Sequence, residues 1–242
     1  MVTLRSPLRL VLLQVRAHRS SLEQERRCFV ERCGVDVSHF TFYNLVEDPG
    51  VRWEVVADAH AVFIGGAGDY SVTKIHPFTW TLQEIVLRLV EEGRPLFGSC
   101  WGHQFLGRAL GGLVVEDPVS AEVGTYTVRL TDAGRNDPLF GELPPVFDAQ
   151  LGHNDRIVDP GPEGVELAVS ARCPMQAVRF GPGPVYGTQF HSELDEHRLR
   201  ERLQVYGANY VAGEDEYQRI LSGLRPSPAA DRLLRRFLEL FA

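Results

Sequence analysis

The sequence predicts an α/β fold: an open, mainly parallel sheet with helices on both faces, extra antiparallel strands, and C-terminal helices. Three observations predict it. Short, wholly apolar runs alternate with amphipathic stretches through the first half of the chain, the pattern of a parallel sheet covered on both faces. Residues 113–189 then break into short β-rich segments separated by Gly and Pro, the pattern of antiparallel hairpins. From residue 195 onward the apolar spacing is helical.

The elements follow in order. Residues 9–15 form a continuous apolar run, read as a first strand rather than a signal peptide, because no small-residue cleavage site follows it. Residues 21–33 have helical spacing, with Ser21 as a cap and Gly34 as a stop. Residues 40–45 and 61–64 are the next strands, the second ending abruptly in Gly65-Gly66-Ala67-Gly68. Residues 77–92 place Leu82, Ile85, Val86 and Leu89 on one helical face before Gly93 and Pro95 terminate it. A strand over 95–98 leads directly into a helix over 101–110. Strands are then expected over 125–130, 146–151, 165–169, 176–180 and 185–189, and helices over 195–211, 214–224 and 228–241. Neither a repeat nor a low-complexity linker interrupts this order, so residues 1–242 are read as a single domain in which residues 195–242 form a helical extension packed on the rest.

Composition narrows the function. A chain of 242 residues with 44% hydrophobic content buries a substantial core. Its net charge of −7 and scattered basic residues argue against nucleic-acid binding, which needs clustered Lys and Arg. No apolar stretch approaches the roughly 20 residues of a membrane span. Cys28, Cys33, Cys100 and Cys173 show neither a Cys-x-x-Cys pair nor a disulfide framework, and this fits a reducing cytoplasm. No metal-ligand spacing stands out, and no cofactor motif is present: Gly65-Gly66-Ala67-Gly68 lacks the lysine of a phosphate loop and the Gly-x-Gly-x-x-Gly spacing.

The chemistry concentrates at Gly98-Ser99-Cys100-Trp101-Gly102, which has the form of a nucleophile elbow where a strand turns into a helix. The start of that helix favours a thiolate at Cys100. Attack on a carbonyl also needs oxyanion donors, and the backbone N–H groups of Gly66 and Trp101 are the expected pair. A base and a group that orients it are supplied by Gln189-Phe190-His191-Ser192-Glu193, with His191 as base and Glu193 as its carboxylate. Glu193 reads alternatively as a cap for the following helix, and His153 as a locally bonded loop histidine.

The stretches GSCWGHQ, GTQFHSE and FIGGAGDYSV together resemble the three signatures of the class I, triad-type glutamine amidotransferases, above all stand-alone members similar to the glutaminase part of GMP synthase. The resemblance covers residues 9–194 and implies a flavodoxin-like, mixed open sheet. By motif position it implies Cys100 as nucleophile, His191 as base and Glu193 as third triad member, with Gly66 and Trp101 as oxyanion donors. It also implies Gln104 as a substrate-pocket residue and places His153, in Gly-His-Asn-Asp, at the pocket border. Two departures stand out: the family's His-Pro-Glu is His191-Ser192-Glu193 here, and its Gly-Gly-Pro loop is Gly65-Gly66-Ala67.

The implied activity is hydrolysis of the glutamine side-chain amide through a γ-glutamyl thioester, with ammonia passed to a separate synthetase or acceptor subunit. By the same thioester, a stand-alone γ-glutamyl peptide or amide hydrolase would release a larger leaving group. A non-catalytic regulatory module is a third reading, against which the three intact reacting groups weigh.

Overall fold

The computed structural model describes residues 8–210 and 213–242. The first seven residues and the end of the helix expected over 195–211 lie outside them. The strands are β1 (Leu10–Gln14), β2 (Phe40–Asn44), β3 (Ala61–Ile64), β4 (Leu96–Ser99), β5 (Leu113–Glu116), β6 (Glu122–Leu130), β7 (Val146–His153), β8 (Asp155–Asp159), β9 (Gly164–Ser170), β10 (Ala177–Phe180) and β11 (Val185–Thr188). The helices are α1 (Arg19–Cys33), α2 (Thr79–Glu91), α3 (Trp101–Ala109), the short α4 (Asp132–Arg135), α5 (Glu196–Tyr210), α6 (Glu214–Gly223) and α7 (Leu233–Phe241).

Among the described residues, nine strands form one mixed sheet in the order β2-β1-β3-β4-β11-β10-β9-β6-β7. The first five are parallel, and the remaining pairings are antiparallel. This is the flavodoxin-like architecture with an antiparallel extension.

The expected hairpin is present at β10 and β11, which run antiparallel, but the expectation is incomplete at the other edge of β11. There the strand joins the parallel half of the sheet, pairing with β4, Val185 opposite Leu96 through Thr188 opposite Ser99. Its residues are buried throughout, which only a central strand covered on both faces requires. A second sheet, the antiparallel ribbon β5-β8, was not foreseen; it lies against α3.

Side-chain alternation divides the core between the two faces of the sheet. Leu10 and Leu12 point into a cluster with Phe29 of α1 and Phe237 of α7, while Val11 and Leu13 join Leu82 and Val86 of α2 and Phe105 of α3. Phe237 is the hub of the first cluster, its ring centroid 5.4 Å from that of Phe97, 6.0 Å from Phe63 and 6.2 Å from Tyr186. The apolar stripe of the last helix is therefore core. α5 packs beside α1, with Leu199 and Leu203 against Cys28.

Candidate active site

β4 ends at Ser99, α3 begins at Trp101, and Cys100 between them holds φ 51° and ψ −99°. A side chain seldom adopts that backbone region, at a cost on the order of 1–3 kcal/mol, and the surroundings must hold it there. They do. The Cys100 N–H donates to Thr188 O at 2.7 Å, fastening the elbow to β11. The two flanking glycines let strand and helix close up: a Cβ on Gly98 would lie 2.5 Å from the Gly102 carbonyl carbon, and one on Gly102 would lie 2.3 Å from Ile64 O.

Because β11 lies next to β4, the chain leaving it carries His191 and Glu193 to the elbow. His191 Nδ1 donates to Glu193 Oε1 at 2.6 Å, and the same ring hydrogen-bonds to Cys100. Glu193 is fully buried and its second oxygen accepts from Ser99 Oγ at 2.7 Å. The proline missing after His191 is thus offset by direct bonds on the carboxylate. Burial opposes the charges here, but mutual attraction wins: Glu193 is held down to about 2 by His191, Arg202 and Ser99, and His191 is raised above its ordinary value by Glu193 and Cys100. The pair is therefore imidazolium and carboxylate at neutral pH. Cys100 Sγ itself lies 3.6 Å from Gly152 O and 3.7 Å from Gln189 Nε2.

The oxyanion expectation is corrected at one donor. The Gly66 N–H does not face Cys100; it donates to Glu25 Oε1 at 3.1 Å. The carbonyl of the same peptide unit, Gly65 O, accepts from Gly102 N at 3.1 Å. The cause is Glu25, a fully buried carboxylate on α1 whose lone pairs need donors: Arg16 Nη2 at 2.7 Å, Gln14 Nε2 at 2.9 Å, and this N–H. Trp101, by contrast, sits at the first position of α3, where its N–H has no acceptor within the helix.

A cleft of about 430 Å³ opens beside Cys100, walled by Tyr70, Ser71 and Lys74 on one side and by Glu116, Asn154 and Asp155 of the β5-β8 ribbon and its approach on the other. Gln104 lines it, its amide donating to Asp155 O at 2.6 Å and Gln189 Oε1 at 3.0 Å. His153 also borders it, but both ring nitrogens are turned to protein: Nδ1 to Asp155 O at 3.1 Å and Nε2 to Glu122 Oε2 at 3.3 Å. Sequence reasoning missed Ser99, Glu25, Arg16 and Arg202. Ser99 lay within the elbow motif but its bond to Glu193 spans 94 residues, and Glu25, Arg16 and Arg202 carried no motif, so only tertiary folding brings these partners together.

Fold and site together define a flavodoxin-like α/β protein with a buried cysteine at a strand-helix elbow. The family model described as glutamine amidotransferase class-I matches residues 27–203, and the chain belongs to that family, whose members are glutamine-hydrolysing enzymes. It is similar to the glutamine amidotransferase-like protein YfeJ of Salmonella typhimurium, 32% identical over 139 residues that cover 53% of this chain and 56% of that protein. It is also 36% identical over 101 residues to a glutamine-hydrolysing GMP synthase subunit of Ignicoccus hospitalis, covering 42% of this chain and 52% of the relative. The chain spans about half the length of these two relatives, and 21% of the GMP synthase of Thermosipho africanus, to which it is 37% identical over 116 residues. The crystal structure of a glutamine amidotransferase from Thermotoga maritima shares the fold, with a TM-score of 0.78 at 19% identity over 98% of this chain and 99% of that one.

Proposed function

We propose that the chain hydrolyses the side-chain amide of L-glutamine, with Cys100 as nucleophile, His191 as acid and base, and Glu193 as the carboxylate that orients the ring. The observation that carries this reading is the buried row Cys100, His191, Glu193, Ser99, which starts at a cleft lined by Cys100. Lys74 at the cleft wall suits the α-carboxylate of an amino acid, and Glu116 suits its ammonium group.

The Cys100 thiolate attacks the carboxamide carbon. As the C–N bond breaks, His191 gives its Nε2 proton to the nitrogen, which leaves as ammonia. Water then attacks the γ-glutamyl thioester, returning a proton to His191 Nε2, and the C–S bond breaks to release glutamate. Trp101 N–H serves the oxyanion directly, and Gly66 N–H serves it only after its peptide turns away from Glu25.

The relatives named as GMP synthase subunits support a separate synthetase chain that consumes the ammonia. The reading is tested by assaying ammonia release from glutamine beside cleavage of γ-glutamyl dipeptides. Glutamine turnover that falls by about 10³-fold or more in Cys100→Ala supports it. Cleavage of γ-glutamyl dipeptides without glutamine turnover replaces it with a peptide hydrolase. A Cys100→Ala protein that retains full activity overturns both.

A further inference from the structure

Behind the cleft wall, three buried side chains that the amide chemistry does not use converge from separate segments. Glu122 opens β6, His153 closes β7, and Cys173 sits in the loop between β9 and β10; their exposures are 0%, 3% and 1%. One ligand-type atom of each lies within 4.8 Å of the other two.

The hydrogen bonding among these groups does not close. His153 Nδ1 faces the carbonyl oxygen of Asp155 at 3.1 Å, and a carbonyl only accepts, so Nδ1 carries the proton. Nε2 faces Glu122 Oε2 at 3.3 Å, where either a second ring proton makes an ion pair or two lone pairs share whatever cation lies between them. The other carboxylate oxygen, Glu122 Oε1, is buried and has no partner among the described residues, and neither has Gln176 Oε1, whose amide nitrogen lies 2.6 Å from Glu122 Oε2. Acceptors thus outnumber donors in a closed space, an arrangement that costs on the order of 1–3 kcal/mol per group unless a cation is shared.

We propose that Glu122, His153 Nε2 and Cys173 Sγ form a binding site for a zinc-type divalent cation. Imidazole, carboxylate and thiolate are the donor set that zinc takes, and its bonds would place tetrahedral ligands about 3.3–3.8 Å apart, a small contraction from the present spread. The Nδ1–H bond to a backbone carbonyl is the second contact by which metal-bound histidines are commonly oriented. Charge balances: the carboxylate and the thiolate offset the 2+ ion, and the ring stays neutral. On binding, the Cys173 thiol gives up its proton to solvent, along with its bond of 3.2 Å to Pro174 O, and the S–metal bond forms. A water or Gln176 completes the shell. The ion would staple the ends of β6 and β7 to the 171–176 loop, and so fix Gly152, whose carbonyl abuts Cys100 Sγ. It takes no part in the amide chemistry.

The test reads metal, not turnover, so it stands or falls apart from the glutaminase reading. Protein carrying Cys100→Ala, which keeps the active-site thiol out of the measurement, is stripped with chelator and titrated with zinc and with cobalt. A full equivalent of zinc by elemental analysis, a rise in Tm on adding zinc, and a thiolate-to-cobalt charge-transfer band are expected. The band should vanish when Cys173→Ala is added and the zinc affinity should fall at least tenfold with Glu122→Gln. If the Cys173 variant does not fold, the zinc content and cobalt spectrum of the parent protein still decide. Absence of both zinc and the cobalt band, or a band that survives loss of Cys173, overturns the proposal and leaves a proton shared between His153 and Glu122.

Discussion

At the scale of single residues, the site is a set of charges held out of water by one another. His191 is raised mainly because Glu193 and Cys100 outweigh the burial that pulls it down. A raised value keeps the ring protonated through neutral pH, and the proton that the proposed mechanism gives to departing ammonia is lost only as pH climbs through that value. Glu193→Gln removes the largest attraction, so the ring should lose its proton at lower pH. The alkaline limb of the kcat/KM profile is expected to move toward acid, together with a fall in kcat; an unmoved limb would deny Glu193 this role. Glu25 makes the opposite kind of contribution, because it competes for a donor. In Glu25→Gln a neutral oxygen replaces the charged acceptor of the Gly66 N–H, and kcat is expected to rise about tenfold with KM little changed in steady-state glutamine assays. A fall in kcat would show that Glu25 instead holds the loop in its working position. Cys100, His191 and Glu193 were legible in the sequence because each lies within a short motif whose local geometry explains it. Glu25 was not, since its meeting with Gly66 spans 41 residues and depends on where α1 packs.

At the scale of elements, alternation of strand and helix gave the parallel half of the sheet nearly residue for residue. What it could not give was the place of β11. A strand's neighbours are chosen by the whole sheet, and four residues that form a hairpin with the strand before them do not show what pairs with their other edge. The clue was there in the uniform burial demanded of Val185 and Tyr186, which a half-exposed hairpin strand would not need. The ribbon β5-β8 escaped notice for a related reason: its faces are half exposed and carry no strong period. The last helix was legible, and its energetic weight follows from its contacts. Phe237→Ala removes a ring packed against Phe63, Phe97 and Tyr186, and a loss of about 3–5 kcal/mol in unfolding free energy is expected by denaturant titration. Because α7 covers the sheet face opposite α2 and α3, glutamine turnover at low temperature should change little.

At the scale of the whole molecule, the helices after the elbow motifs are more than a cover. α5 brings Arg202 near Glu193 and places Tyr206 where a Cβ on Gly68 would meet its ring, so the Gly-rich loop is shaped by a helix more than 130 residues further along the chain. The residues that meet at the elbow were legible in short motifs and the buried groups that contact them were not, because those contacts are made through space and leave no pattern in their own neighbourhood.

The Gly65-Gly66 peptide is tied at both of its polar ends, and turning the peptide unit breaks both ties at once. That makes its orientation a two-position variable rather than a graded one. Any molecule that binds more tightly when the peptide is turned would raise the share of competent protein, and about 1.4 kcal/mol of such preference would raise it tenfold while the turned form is rare. The rate of ammonia release would then report the presence of a listener, and nitrogen would be set free in proportion to the binding energy of whatever stands ready to use it.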